Sequence, residues 1–273
     1  MQNVTHNLAT QKDKATSQPR IETERPRYPA AITEDLLTGS RRLRHAFLQQ
    51  PICNAARDMP LVRLSDSDPT ILLIRTGFAF RSCALADGRR AILHIVTPGD
   101  VVGLDHIVLH RPIEEVTAAT RVEYRALRAS GLRELIKDDP AINLQVLALL
   151  ADIQWRTDRL AAALGRLDSQ ARICFMLSDV YERLRRRELI SRFTFNLPLT
   201  QEQIADHLGL TLVHVNRTLR RLREERIAII DRQVVIIMDL DRLRKFAQGL
   251  PEPAELLDTV PAGASLQRMS VDD

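Results

Sequence analysis

The chain has 273 residues, of which 45% are hydrophobic and 27% charged, and its formal net charge is +4. This composition is that of a globular protein with room for two cores. No apolar run approaches the roughly 20 residues of a membrane-spanning helix, and the N-terminal MQNVTHNLATQKDK lacks the apolar segment of a secretory signal. Three scattered cysteines form neither a disulfide framework nor a paired metal motif. We therefore expect a cytoplasmic protein that does not bind membranes.

The first half of the chain predicts an arm followed by a β-domain. Residues 1–35 are polar, contain proline and show no periodicity, which favours a disordered arm. A short helix is expected within residues 36–48. From Leu61 to Leu127, apolar runs such as ILLIRTGFAF and RAILHIV alternate with ADGRR and TPGD turns, and ADG between such runs is a hairpin signal. Residues 36–130 are therefore predicted to form an antiparallel sandwich or barrel.

A long helix is predicted from Pro140 to Leu164. Its apolar residues recur at steps of three or four, at Ile142, Val146, Leu149, Ile153, Leu160 and Leu164. A seam of this length favours a partner helix, so residues 131–165 are expected to form a dimerisation helix. The alternative is that the seam packs only on its own β-domain. A second helix is expected from Ser169 to Arg187, ending in the basic run RLRRR.

The most informative stretch is LTQEQIADHLGLTLVHVNRTLRRLREERIAII, beginning at Leu199. Thr200 and Gln203 have capping-box spacing at the start of one helix, and Gly209 suits a turn that needs positive φ. Thr211 can cap a second helix running to about Glu224. An apolar set in register would lock the two helices together: Ile204, Leu208, Leu210 and Val215. This arrangement predicts a helix-turn-helix, with a basic amphipathic helix in some other helical domain as the alternative.

A hairpin and a charge excess accompany this motif. The isoleucine- and valine-rich segment from Ile227 to Met238 predicts two strands turning near Asp231-Arg232-Gln233. Residues 166–249 hold 16 Lys and Arg against 11 Asp and Glu, a net of +5. We therefore predict a winged DNA-binding module over residues 166–248, followed by an acidic flexible tail over residues 249–273.

The outward positions of the second helix are the candidates for reading DNA. Asn216, Arg217 and His214 suit base edges, whereas Arg220, Arg221 and Arg223 suit phosphates. The full set of predicted DNA-contacting residues is Thr200, Gln201, Thr211, Val213, His214, Asn216, Arg217, Arg220 and Arg221.

Two segments carry a resemblance to a known family. DGRRAILHIVTPGDVVGL resembles the hairpin and PGDxxG turn of a cyclic-nucleotide-binding-like roll, and LPLTQEQIADHLGLTLVHVNRTLRRLREERIA resembles the DNA-binding signature of the Crp/Fnr family of bacterial transcription regulators. The resemblance covers about Leu61 to Gln248. It implies an α+β fold: an N-terminal antiparallel β-roll of the cupin or cyclic-nucleotide-binding type, a long dimerisation helix and a C-terminal winged helix-turn-helix. It also implies a homodimer that binds a pseudo-palindromic operator in double-stranded DNA, with RNA polymerase as a further candidate partner.

Departures from the family pattern bear on which effector molecule the roll could bind. Members that bind cyclic AMP carry a Glu directly after the glycine of the turn and an Arg-Ser pair in the next segment. This chain has Leu104 and Val116-Thr117 at those places, so a cyclic phosphate would lack its charge-assisted partner. The effector-pocket candidates are Gly103, Leu104, Val116 and Thr117, and we expect a degenerate roll that does not bind cyclic AMP in the usual way.

The resemblance also bears on cofactors. Iron–sulfur members need four cysteines, mostly near the N-terminus, whereas only Cys53 precedes the roll here. The haem-containing member ligates iron just after the same turn, where this chain has Gly103 and Asp105. We therefore expect no cofactor and no metal. The alternative function is a haem-based or thiol-based gas or redox sensor, using His94, His106 and His110 or Cys174, whose neighbour Arg172 could lower the thiol pKa.

Other classes of function find less support. The sequence shows no Ser-His-Asp arrangement, phosphate loop or metal-ligand spacing, so no catalytic residue is assigned and an enzyme is not expected. Asp206 and His207 fall on the first helix of the motif, where solvent or a phosphate would satisfy them. A structural protein that binds partners through the seam helix remains a third class.

Val213 stands where well-known family members carry a Glu that reads a base, and this difference predicts an operator that differs at that base.

Overall fold

The computed structural model describes residues 41–247 apart from Asp68 and His110. The predicted arm (1–35) and acidic tail (249–273) lie outside the described residues. Within them, the chain forms an antiparallel β-roll, long helices and a winged helix-turn-helix, which confirms the expected α+β architecture. No helix among these described residues is long and apolar enough to cross a membrane.

The roll consists of two four-stranded antiparallel sheets. The strands are Ile52–Ala55 (β1), Pro60–Val62 (β2), Thr70–Thr76 (β3), Ala79–Ala84 (β4), Arg90–Val96 (β5), Val101–Val102 (β6), Glu115–Ala118 (β7) and Val122–Arg128 (β8). One sheet has the strand order β1-β8-β3-β6 and the other β2-β7-β4-β5. Aliphatic side chains from both sheets, including Leu72, Val102 and Val116, form the core between them. The sequence did not identify β1 or β2, which pair with β8 and β7.

In the described part of the chain, four helices accompany the roll: Arg41–Leu48 (α1), His106–Leu109 (α2), Ala129–Asp138 (α3) and Pro140–Arg166 (α4). The predicted dimerisation segment, residues 131–165, is therefore not one helix. Pro140 cannot donate a backbone hydrogen bond, and Asp139 ends α3 and caps α4 by accepting from the Ala141 N–H at 3.0 Å. The start predicted for the long helix, Pro140, is confirmed.

The apolar seam of α4 packs on its own chain. Ile142 and Val146 are buried beside α1 and α3, and Ile153 packs against the same cluster. Leu160 and Leu164 pack against the core of the C-terminal half. The roll and the C-terminal module therefore cover much of this seam within the chain, and a partner helix against it stays a prediction.

The C-terminal module follows in the predicted order. The elements are Ser169–Arg186 (α5), Thr194–Asn196 (β9), Gln201–Leu208 (α6), Leu212–Glu224 (α7), Ala228–Asp231 (β10), Val234–Ile237 (β11) and Leu240–Phe246 (α8). A three-stranded antiparallel sheet, ordered β10-β11-β9, forms the wing, and the sequence did not identify β9.

The module is docked on the roll. Phe80, Ile92 and Ile95 of the roll belong to the same buried apolar cluster as Ile173 of α5 and Ile204 of α6. We call this contact between β4–β5 and α5–α6, together with the adjoining part of α4, the roll–module interface. It fixes where the DNA-binding helices sit relative to the roll.

Candidate nucleic-acid interface

The helix-turn-helix is defined by local hydrogen bonds. Thr200 Oγ1 accepts from the Gln203 N–H at 3.1 Å, and Gln203 Oε1 accepts from the Thr200 N–H at 2.8 Å, so the predicted capping box is confirmed. Gly209 ends α6 at φ 59°, a left-handed conformation that glycine adopts without a Cβ penalty. Thr211 caps α7 by accepting from the His214 N–H. These contacts fix the turn between the two helices.

The helix α7 has one buried and one exposed face. Val215, Thr218 and Leu222 are buried against α5, α6 and the wing. Val213, at the opposite face, is 72% exposed. An apolar side chain this exposed near the N-terminus of a capped helix is left uncovered by the part of the chain that the structure describes. This face is therefore available to a groove of DNA.

All nine residues predicted to contact DNA are exposed. They lie at the N-terminus of α6, at the turn and along the outer face of α7: Thr200, Gln201, Thr211, Val213, His214, Asn216, Arg217, Arg220 and Arg221. The structure thus brings them to one motif, although their roles on DNA remain predictions.

Two of the arginines are paired within the helix. Arg220 Nε donates to Glu224 at 2.8 Å and Arg221 Nε to Glu225 at 2.7 Å. Both pairs have an i,i+4 spacing and exposed arginines, and ion pairs of this kind open at little cost. The two pairs hold the guanidinium groups on the exposed face of α7, and each arginine can exchange its carboxylate partner for a DNA phosphate.

The wing turns through two residues in the left-handed region. Arg232 has φ 45° and Gln233 φ 69°, the pattern of a two-residue type I′ hairpin between β10 and β11. The predicted turn near Asp231-Arg232-Gln233 is confirmed. Neither residue is the Asn or Gly that such turns favour, so the tip presents a cation at some cost in backbone strain.

The four effector-pocket candidates do not lie in one cluster. Leu104 is buried with α1, α3 and α4, whereas Val116 is buried between the two sheets. Gly103 has φ 84°, and a Cβ there would lie 2.7 Å from the His106 ring. Thr117 is half-buried and pairs through its backbone with Phe80. Apolar packing occupies the places where the resemblance puts polar ligands for a cyclic nucleotide.

The histidines considered for haem are not grouped. His106 Nδ1 lies 3.1 Å from the Thr70 carbonyl, and His94 Nε2 lies 3.0 Å from Thr157 Oγ1 on α4. His110 lies outside the described residues. Over residues 41–247, with the two exceptions given above, no group of three His, Cys, Asp or Glu side chains could hold a metal ion.

The environment of Cys174 is opposite to the one expected of a reactive thiol. Its side chain is fully buried. Burial, with smaller contributions from Asp168 and Glu225, raises the pKa of Cys174 to about 12. Arg172 does not lower this pKa, because its guanidinium donates instead to the carbonyls of Leu167 and Leu208. The hypothesis of a thiolate sensor at Cys174 is therefore unsupported.

Residues that the sequence left to solvent take part in the roll–module interface. His207 is 8% exposed, and its Nδ1 lies 3.0 Å from the Ile92 carbonyl of β5. Asp206 pairs with Arg90 at 3.2 Å. The expectation that solvent or a phosphate satisfies Asp206 and His207 is wrong, because β5 packs against α6.

A buried carboxylate at the TPGD turn extends this interface. Asp100 Oδ2 accepts from Arg183 Nη1 at 3.0 Å, and Oδ1 accepts from Arg187 Nη2 at 2.7 Å. Arg156 of α4 lies 3.6 Å away. Burial alone would raise the pKa of Asp100, but the three arginines outweigh it and hold this pKa far below its usual range. Two members of the basic run at the end of α5 are thus structural.

Comparisons with known proteins agree with this geometry. Residues 158–246 match the Crp-like helix-turn-helix domain family. The transcriptional activator protein FnrL of Cereibacter sphaeroides is 31% identical over 62% of this chain and 68% of its own length. A CRP-like cAMP-activated global transcriptional regulator of Mycobacterium tuberculosis is 30% identical over 59% of this chain and 72% of its own.

The fold is also that of a solved regulator. The structure of FixK2 from Bradyrhizobium japonicum superposes with a TM-score of 0.66 at 22% identity, covering 74% of this chain and 99% of FixK2. The relatives are transcription regulators rather than enzymes, in agreement with the sequence analysis. The chain belongs to the Crp/Fnr family of DNA-binding transcription regulators.

Proposed function

We propose that this regulator acts as a homodimer that reads a pseudo-palindromic operator through α7, without using cyclic AMP in the usual way. The observation that carries the proposal is the exposed outer face of α7, on which Val213, Asn216 and Arg217 are exposed. A helix held in this way inserts its N-terminal half into the major groove. Two copies related by a twofold axis would read two half-sites.

An exposed stripe on α4 supports pairing with a second copy. It follows a repeat of three and four residues on the face opposite the buried seam. Its members are Leu144, Leu147, Ala151, Gln154, Asp158, Ala161 and Gly165. Leu144 and Leu147 are 41% and 54% exposed, and the small residues toward the end of the helix allow two backbones to approach closely. The proposed dimer therefore uses a different face of α4 from the apolar seam.

The packing of the roll supports a signal other than cyclic AMP. Leu104 and Val116 bury apolar groups where a ribose and a charged phosphate would need polar partners. We propose no resident cofactor or metal, since His106 is satisfied by a backbone carbonyl and Cys174 is a buried thiol. The proposed site of action is the cytoplasm, where the operator and RNA polymerase, the further candidate partner, are found.

Selection from random DNA with the purified, effector-free protein tests whether it binds DNA in a sequence-specific way. The expected product is one palindrome whose half-sites lie about one helical turn, roughly 34 Å, apart. A single half-site would count against a dimeric reader. Recovery of no motif would contradict effector-free binding.

Two matched variants test the dimer separately. Leu147→Glu places a charge on the exposed stripe and should yield monomers in sedimentation. Leu64→Glu alters an equally exposed leucine of the roll, 53% against 54%, and should leave the dimer intact. Equal sedimentation of both variants would contradict pairing through this stripe.

A further inference from the structure

Two histidines lie on opposite sides of the roll–module interface and line the same cavity. His94 lies on β5, and His207 lies on α6 of the docked module. A cavity of about 20 Å³, the size of one water molecule, is lined by both histidines and also by Arg156, Asp179 and Arg183. Both histidines therefore border a polar space inside this contact.

The hydrogen bonds of His94 identify the nitrogen that is free to take a proton. Thr157 Oγ1 donates its hydrogen to the Ile153 carbonyl at 2.9 Å, so it accepts from His94 Nε2 at 3.0 Å. Neutral His94 therefore carries its proton on Nε2, and Nδ1 is the basic atom. The charged groups that lower the pKa of this ring are cations, Arg81 of β4, Arg156 of α4 and Arg183 of α5, while the carboxylate of Asp179 lines the same cavity.

His207 is held in the complementary way. The Ile92 carbonyl can only accept, so His207 Nδ1 carries the hydrogen of their 3.0 Å bond and Nε2 is the basic atom. Asp179 and Arg183 of α5 act on this ring with opposite signs. A proton added to either histidine places a cation in an interface that already holds several arginines.

We propose that the roll–module interface is a proton-sensitive latch, in which protonation of His94 and His207 releases the winged helix-turn-helix module from the roll. The neutral rings fit the docked arrangement, and the charged rings fit the separated one. The carboxylates Asp100 and Asp179 keep their charge as the histidines titrate, because neighbouring arginines outweigh burial and lower the pKa of both. The histidines are therefore the groups that change state.

The direction and size of the effect follow from linkage. Burial, then Arg81, Arg156 and Arg183, lower the pKa of His94 to about 3 when docked, whereas a solvated histidine has a pKa of about 6.5. Burial likewise lowers the pKa of His207. Docking is therefore strongest above about pH 6.5 and weakens as the pH falls below it. At about pH 5, His94 by itself should reduce the docking equilibrium about 30-fold relative to neutral pH.

The latch can be tested by measuring a distance across the interface in the full chain. Spin labels at cysteines replacing Asp87, exposed on the β4–β5 hairpin, and Asp241, exposed on α8, would report docking. Cys53 and Cys83 would be replaced by serine. We expect one narrow distance distribution at about pH 7.5 and a broad one at about pH 5. A second pair within the module, at positions 202 and 241, should stay narrow at both values and so exclude unfolding.

Variants that cannot titrate provide the decisive comparison. His94→Gln keeps an N–H near Nε2, His207→Asn keeps one near Nδ1, and the double variant should stay docked at both pH values. His45→Gln, an exposed histidine on α1, should behave like the parent chain. An unchanged distance in the parent chain at low pH, or equal broadening in the double variant, would overturn the proposal.

Direct titration covers the case in which the double variant is undocked throughout. Nitrogen-15 spectra of the histidine side chains in the parent chain should show His94 and His207 gaining a proton over the same pH range in which the distance broadens. Titration of either ring without broadening would also overturn the latch.

Discussion

Asp100 and Arg183 are 83 positions apart in the sequence, and Arg183 Nη1 donates to Asp100 Oδ2 over 3.0 Å. Asp100 lies in the TPGD turn of the roll, whereas Arg183 lies on α5 of the DNA-binding module. Arg187, which directly follows the last residue of α5, reaches the other carboxylate oxygen and the Pro98 carbonyl. One carboxylate thus anchors the module through two arginines at the end of α5.

Removing this charge should destabilise the protein. Asp100→Asn keeps the size of the side chain but leaves Arg156, Arg183 and Arg187 without their shared carboxylate in a buried place. Breaking one side of a buried ionic contact costs about 3 kcal/mol or more. Urea denaturation of the variant should therefore show a clearly lower midpoint.

The matched control is an exposed carboxylate that also accepts from an arginine. Asp87 accepts from Arg89 Nε at 2.7 Å on the hairpin tip. Asp87→Asn should leave the denaturation midpoint unchanged, since exposed ion pairs contribute little. Equal midpoints for the two variants would mean that Asp100 does not anchor the module.

Local signals in the sequence were sufficient to predict the helix-turn-helix. Three features depend on contacts within a few residues: the Thr200 cap, the turn at Gly209 and the end of α7 at Glu224. Neighbouring residues in the sequence are therefore enough to predict them. The same is true of the turn at Arg232, which isoleucine and valine runs enclose. The exposure of the nine residues predicted to contact DNA followed in the same way, because the exposed face of a helix is set by its buried one.

Contacts between distant segments could not be predicted in the same way. The sequence of the run RLRRR predicts solvated charges, but the fold places Asp100 against it. The position of His207 likewise predicts exposure, but β5 covers its side chain. The periodicity of α4 identified its apolar face correctly. It could not show whether the roll or a second copy covers that face, because either one satisfies the same pattern.

Cys174 should be inert in the native protein. Burial raises the pKa of its thiol to about 12, so almost no thiolate forms near neutral pH. Alkylation followed by mass spectrometry should modify Cys53 and Cys83, which are partly exposed, well before Cys174. Denaturant should make all three equally reactive. Rapid native modification of Cys174 would restore the thiol-sensor alternative.

Arg217 and Arg221 should affect DNA binding in different ways. Arg217→Ala should cost about 1–3 kcal/mol on the preferred operator and relax specificity at one base pair, because a side chain near the helix start reads a base edge. Arg221→Ala should weaken all sequences alike and reduce the salt dependence by about one phosphate contact. Competition binding over a range of salt concentrations distinguishes the two. An unchanged operator preference in Arg217→Ala would contradict its assignment.

The wing turn should tolerate glycine better than its own residue. Gln233 has φ 69°, and its carbonyl accepts from the Leu197 N–H at 2.7 Å, a backbone contact that a substitution keeps. Gln233→Gly removes the strain on a side chain in the left-handed region and should raise stability by about 0.5–1 kcal/mol. Gln233→Val should lower it, since a β-branched residue fits this conformation worst. The melting temperature of the parent chain should therefore lie between those of the two variants. A lower melting temperature in both would mean that the Gln233 side chain itself stabilises the wing.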